Sequence, residues 1–283
     1  MVNELDLLPT EEVIELLLQA ETRVVPAVRA AIPGLTAGAA RIADRLNAGG
    51  RLIFVGAGTS GRIAVAEAAE LPGTFGLERS RVLARVAGGA ASTDDDEDDL
   101  ELVSRDLAEL ALSGRDTVIA VAASGATPYT LEVAQAGVAA EAEVIAVVTV
   151  AGSPLARLAE VNGGVAIEAV VGEEVLRGST RLTAGTAQKV ALNALTTAAM
   201  VRFGRVHGDL MIDVVAANAK LKLRSAAIVA EIAGSSLEEA QQALSDCSGS
   251  ARAAVLVLVT GLAPEQAVAR SQAHPSLREL LAP

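Results

Sequence analysis

Two short clusters of hydroxyl-bearing residues, each set in glycine, are where this sequence is equipped to do chemistry. In the first, residues 56–62 read Gly-Ala-Gly-Thr-Ser-Gly-Arg, placing Gly58, Thr59 and Ser60 between a short apolar run (51–55) and an Ala-rich helical pattern. A strand that turns through glycine into a helix offers unpaired backbone N–H groups and the positive end of the helix dipole, which favour an anion. Gly56, Gly58 and Gly61 also fit G-x-G-x-x-G, but a dinucleotide-binding turn requires an acidic residue about 20 positions on, at the end of the next strand. The next strand candidate, Arg81 to Ala87, ends in Ala87-Gly88-Gly89 with no carboxylate. With two adjacent hydroxyls instead, the turn is predicted to bind a single phosphate group.

The second cluster repeats the device. Residues 117–123 are near-continuously apolar, as expected of a parallel strand buried on both faces. The run breaks at Ser124, Gly125, Ala126 and Thr127, and Pro128 then suits a first helical turn because it lacks the N–H that would go unpaired there. Either cluster alone is also ordinary turn chemistry. Two of them at the carboxyl edge of one sheet, where open α/β sheets bind ligands, point to a phosphate site.

These turns need strands and helices to hold them. Strand candidates at 51–55, 82–87, 117–123, 143–149 and 164–169 alternate with helical patterns, which indicates a parallel sheet covered on both faces. Ahead of the sheet, Thr10 with Glu11 and Glu12 is read as the capped start of a helix, and a second helix runs from about Leu35 to Asn47, stopping at Gly49-Gly50. After residue 170 the strand signal ends. Helices are predicted over 178–204 and about 210–232, with Leu195, Met200 and Phe203 as core residues. Ser236 to Glu239 forms a capping-box pattern that opens a small helical subdomain. The organisation expected is therefore N-terminal helices (1–50), a phosphate-binding α/β domain (51–234) and a small helical subdomain (235–283).

The whole chain narrows the function classes. Its 283 residues are 51% hydrophobic but only 1% aromatic, so the core is built from Ala, Val, Leu and Ile. A net charge of −12 argues against nucleic acid or an anionic membrane as partner. It also means that a phosphate must be held by local N–H groups, hydroxyls and a few placed cations. One cysteine, Cys247, permits neither an intrachain disulfide nor a cysteine zinc site. No apolar stretch reaches about 18 residues, so a soluble, cytoplasmic protein is expected. The acidic run 94–99 reads as a solvated helix start. His207 is read as structural or as a polar neighbour of the site.

Several blocks resemble one family. GAGTSGR (56–62), AEAAELPGTFG (66–76), AASGATPY (122–129), GSTRLTAGTAQK (178–189) and HGDLMIDVVAANAKL (207–221) are similar to the N-acetylmuramic acid 6-phosphate etherases, within the broader sugar isomerase domain group. The resemblance runs from Leu5 to about Leu281. It implies a flavodoxin-like three-layer α/β sandwich, a five-stranded parallel sheet flanked by helices, with the C-terminal helical subdomain appended. It implies a homodimer and no cofactor. The implied reaction removes D-lactate from C3 of N-acetylmuramic acid 6-phosphate by elimination, and water then adds to give N-acetylglucosamine 6-phosphate. Such chemistry needs a base for the C2 proton and an acid at the departing ether oxygen, and two carboxyl groups supply both without a metal. By resemblance Glu70 is the proton donor and Glu97 the base, with Glu101 the rival for the second role. Gly58, Thr59, Ser60, Ser124, Gly125, Thr127, Ser179 and Thr180 are the implied substrate and phosphate contacts.

The sequence also departs from the family pattern. Ala126 stands where the family usually has Arg, and Thr183 where it has Lys, leaving Arg62, Arg181 and Lys189 as the cations of these blocks. A lost charged contact would cost about 1.5–3 kcal/mol of binding. A non-catalytic sugar-phosphate sensor and an aldose–ketose isomerase are the competing expectations. The single phosphate-binding unit speaks against the first, and the GSTR-x-x-AGTAQK block against the second.

Overall fold

The computed structural model describes residues 4–89, 96, 99–274 and 276–282. The chain divides into two compact units, one of residues 1–69 with 80–199 and one of residues 70–79 with 200–283.

The first unit opens with three helices, α1 (Thr10–Glu21), α2 (Val24–Ala30) and α3 (Ile32–Asn47). Thr10 is the first helical residue and Pro9 takes the cap position, without a side-chain bond, so the capping hydroxyl expected at Thr10 is not used. Five strands follow: β1 (Leu52–Gly56), β2 (Val82–Val86), β3 (Thr117–Val121), β4 (Glu143–Val148) and β5 (Val165–Glu168). They pair in parallel in the order β2-β1-β3-β4-β5. Every residue of β1 and β3 is buried, which is why those strands read as unbroken apolar runs. Between strands lie α4 (Gly58–Phe75), α5 (Leu100–Leu110), α6 (Pro128–Ala139) and α7 (Pro154–Val161), and α8 (Thr183–Arg202) follows β5. Pro128 and Pro154 each occupy a first helical turn.

Successive strand residues point to opposite faces. Ile53, Val55, Val118, Ala120, Val144 and Ala146 share one core with Tyr129, Val133 and Leu155 from α6 and α7. On the other face α3 comes close enough that a Cβ on Gly38 would lie 2.9 Å from Leu195 of α8 and 3.6 Å from Ile145 of β4. That is a three-layer sandwich, as expected. Asp99 caps α5, accepting from the N–H groups of Glu101 (2.8 Å) and Leu102 (3.3 Å), so the acidic run does end in a helix start.

Two helices differ in extent from the sequence expectation. The stretch 178–182 precedes α8 rather than beginning it. The helix expected from about Leu210 begins only at Ala219 and runs to Ala233 as α9, with Asn218 as its cap. In the second unit, residues 205–218 are fixed by tertiary contacts instead: Asp213 accepts from Arg205 (3.1 Å) and Arg252 (2.8 Å), and His207 pairs with Leu210. Four further helices, α10 (Leu237–Asp246), α11 (Ala251–Thr260), α12 (Pro264–Ala273) and α13 (Leu277–Leu280), pack with α9 around Val229, Ala254, Leu256 and Leu277. The capping box of Ser236 and Glu239 is formed. Met200 and Phe203 are buried here and Leu195 in the first unit, as expected of core positions.

Candidate active site

The carboxyl ends of β1 and β3 are level, because Gly56 stands opposite Val121 in the pairing. In a sheet of order 2-1-3-4-5 the connections leave in opposite directions on either side of this strand pair, and the crevice between them is where such folds bind ligands. The two hydroxyl-rich turns leave from these strand ends. Gly58 opens α4 at φ +50°, a backbone conformation that costs glycine nothing. Gly56 and Gly61 let the helix start directly against the sheet: a Cβ on Gly61 would lie 2.6 Å from the Gly56 carbonyl oxygen and 2.5 Å from Val86. Thr59 and Ser60 are half-buried in the first turn of α4.

Across the crevice, Ser124 is exposed and its Oγ accepts from the Ala126 N–H at 3.2 Å, bending the chain toward α6. Gly125 has φ +64° and sits so close to α7 that a Cβ would lie 2.2 Å from Ser153 Oγ. Thr127 is the residue before α6 and makes no side-chain cap bond to it. Residues 58–60 and 124–127 thus stand at two helix N-termini on one sheet edge.

A third helix contributes. Gly185 of α8 faces α4, a Cβ there reaching within 3.6 Å of Thr59. One turn further, Gln188 accepts from Ser60 Oγ at 3.0 Å. Glu67 of α4 then meets Lys189 and Thr196 of α8, so contacts advance along both helices together and the two run parallel, N-termini side by side. Parallel dipoles with their positive ends adjacent repel one another, and an anion placed there offsets the repulsion. Ser179 and Thr180 lie in the segment that leads into α8, Ser179 half-buried and Thr180 exposed, with no bond to either turn. The α8 N-terminus is occupied by the Glu174 carboxylate, which accepts from the N–H groups of Thr183 (3.1 Å) and Ala184 (2.9 Å). Thr183 itself donates to Glu21 Oε1 at 3.2 Å. Position 183 therefore faces two carboxylates.

The carboxylates fall in different surroundings. Glu67 and Glu70 share a face by spacing, yet Glu67 is buried and paired while Glu70 is exposed on α4, in the stretch belonging to the second unit. Glu97 lies outside the described residues. Glu101 is exposed in the first turn of α5. Lys189, counted among the available cations, is paired with Glu67 and donates to Asn193 Oδ1 at 2.8 Å. Neither Gln188 nor Glu174 stands out in the sequence. The seven-residue spacing of Ser60 and Glu67, two turns along one helix face, is the signal that points to the α4–α8 seam. Among the described residues no cluster of three or more His, Cys, Asp and Glu is arranged to hold a metal ion.

A doubly wound parallel sheet with hydroxyl- and glycine-rich turns at its switch point defines a class, the SIS domain, and the model of that family matches residues 19–149. The fold is shared with a putative phosphosugar isomerase from Bacteroides fragilis (20% identity, TM-score 0.51, covering 71% of this chain and 98% of that one). A phosphoheptose isomerase from Neisseria gonorrhoeae also shares it (15% identity, TM-score 0.50, 67% and 97%). Within that class the chain belongs to the N-acetylmuramic acid 6-phosphate etherase family. It is 40% identical over 276 residues to the etherase of Aliivibrio fischeri, covering 96% of this chain and 91% of that protein. It is 43% identical over 270 residues to the etherase of Rubrobacter xylanophilus, covering 93% and 88%.

Proposed function

We propose that this protein cleaves the C3 lactyl ether of N-acetylmuramic acid 6-phosphate, yielding N-acetylglucosamine 6-phosphate and D-lactate. The observation that carries the reading is identity of about 40% with etherases along nearly the whole chain. In the open-chain sugar the C1 aldehyde acidifies the C2 proton. A carboxylate removes that proton, the C2–C3 double bond forms as the C3–O bond breaks, and a carboxylic acid protonates the leaving lactate oxygen. Water then adds at C3 and a proton returns to C2, so the sequence is redox-neutral and needs no cofactor. Glu70 is assigned as the acid and Glu97 as the base, on the family resemblance. Gly58, Thr59, Ser60, Ser124, Gly125 and Thr127 are assigned to the 6-phosphate, supported by their place at two helix N-termini beside the β1/β3 switch point. Ser179 and Thr180 are assigned to the substrate on resemblance alone.

The protein is further proposed to be a cytoplasmic homodimer. Leu7, Ile14 and Leu18 at the chain start and Leu176 are at least half exposed, apolar side chains that a second copy would cover. No single helix among the described residues is long and apolar enough to cross a membrane.

Release of D-lactate from N-acetylmuramic acid 6-phosphate tests the reading. The wild-type protein is expected to release it. Glu70→Gln, which keeps size and polarity but delivers no proton, is expected to slow release by about 10²–10⁴-fold while retaining product binding. A wild-type protein that binds the sugar phosphate without releasing lactate would replace the enzyme with a sensor. Exchange of the C2 proton in deuterated water, compared between Glu97→Gln and Glu101→Gln, identifies the base.

A further inference from the structure

Gln188 is a polar side chain with no solvent exposure, and only half of its amide is used. Its Oε1 accepts from Ser60 Oγ at 3.0 Å, while its Nε2 is sealed from solvent and has no hydrogen-bond partner. A buried amide left half satisfied is a standing cost, and an apolar side chain of similar length would fill the same space without it. The group that Gln188 does engage is the hydroxyl at the first turn of α4.

We propose that Gln188 is a positioning residue that aims the Ser60 hydroxyl at a bound phosphate; this rests on the reading of the α4 turn as the phosphate site. A phosphate oxygen only accepts, so every hydroxyl facing it must donate. Ser60 has one proton, and in this structure that proton goes to Gln188 Oε1. The oxygen and nitrogen of a carboxamide are close in size, so a half-turn about the terminal torsion exchanges them in place. After the turn, Nε2 donates to Ser60 Oγ, and the Ser60 proton is released toward the phosphate. One unpaired buried group replaces another in the exchange, so the anion decides which orientation holds. The resulting chain, amide N–H to hydroxyl oxygen and hydroxyl proton to phosphate, is one in which each bond polarises the next.

The test is calorimetric titration of the full-length protein with N-acetylglucosamine 6-phosphate and, separately, with inorganic phosphate. Wild type, Thr59→Ala, Ser60→Ala, Gln188→Met and the Ser60→Ala/Gln188→Met double variant are compared, with a melting curve for each. Ser60→Ala is expected to weaken binding about tenfold or more, the loss of one hydrogen bond to a charged group. Gln188→Met is expected to weaken it about three- to tenfold, the size of a neutral hydrogen bond. The double variant should bind no more weakly than Ser60→Ala, since Gln188 acts only through that hydroxyl. Its melting temperature should equal or exceed that of Ser60→Ala, because an unpaired buried amide has been removed. If Ser60→Ala weakens binding and Gln188→Met does not, or the two losses multiply, the inference is overturned and the phosphate site stands. If neither Ser60→Ala nor Thr59→Ala alters affinity, the phosphate reading itself fails and the inference with it. Should Gln188→Met not fold, Gln188→Leu removes the donor and the acceptor with a smaller apolar side chain. It is expected to bind phosphate more weakly than wild type, and wild-type affinity would overturn the proposal.

Discussion

Replacing Lys189 with methionine should destabilise the first unit by about 2 kcal/mol, and the seam between α4 and α8 shows why. Glu67 is 4% exposed, and each of its carboxylate oxygens has one partner: Thr196 Oγ1 donates to Oε1 at 2.6 Å and Lys189 Nζ donates to Oε2. Removing one partner of a fully buried ion pair costs about 3–5 kcal/mol, because a charge is left unpaired in the interior, whereas an exposed pair is worth about 0–1 kcal/mol. This pair is mixed. The Glu67 side chain is 6% exposed but that of Lys189 is 41% exposed, so water reaches the ammonium side and the cost falls between the two cases. Making the partner neutral in the same chain should partly rescue it. Glu67→Gln retains an oxygen for Thr196 and carries no charge but leaves its amide N–H unpaired, so the double variant is expected to recover part of the loss relative to Lys189→Met.

The assay is urea unfolding followed by tyrosine fluorescence. Tyr129 is the sole tyrosine of a chain without tryptophan, and it is fully buried in the first unit, so the signal reports that unit alone. In a thermal scan the same loss corresponds to about 4–8 °C. A Lys189→Met protein that unfolds at the wild-type urea concentration, or a double variant no more stable than Lys189→Met, would show that the pair does not hold the seam.

Tyr129 supplies a second prediction. Burial, and then the 2.6 Å bond its hydroxyl donates to Asp106, push its phenol well above the usual value. At about pH 10, where a free phenol is half ionised, the folded protein should show no tyrosinate absorbance, and ordinary titration there would refute the buried contact. Asp116 supplies a third. Burial pushes its carboxyl up, but hydrogen bonds from Arg51 and Ser113 outweigh this and hold it below the usual 3.8. A depressed carboxyl contributes stability above its unfolded value, and that stability is lost as pH falls through the folded value. Acid unfolding curves should therefore steepen below about pH 4 in wild type, and less so in Asp116→Asn; identical curves would contradict the Arg51–Asp116 contact just ahead of β1 and β3.

The strands were legible because a parallel strand buried on both faces leaves little room for polar residues, as 52–56 and 117–121 show. The two turns were legible because glycine marks the positions where chain meets chain, as at Gly61 and Gly125. What could not be read locally depends on partners far along the chain. Glu67 and Glu70 lie three apart on one helix, and only partners far along the chain, Lys189 and Thr196, distinguish them. Residues 210–216 have helical spacing but are held irregular by Asp213 with Arg205 and Arg252, so that the helix waits for the Asn218 cap. Gln188 passed as one more residue of a helix, because its unpaired amide exists only once α8 lies against α4.

The measurement that bears most directly on the phosphate site is a crystal structure with N-acetylglucosamine 6-phosphate bound. The phosphate is expected at the β1/β3 switch point, its oxygens within hydrogen-bond distance of Ser60 Oγ and of backbone N–H groups in both turns, 58–60 and 124–127. A phosphate bound farther than a hydrogen bond from both turns would contradict that assignment.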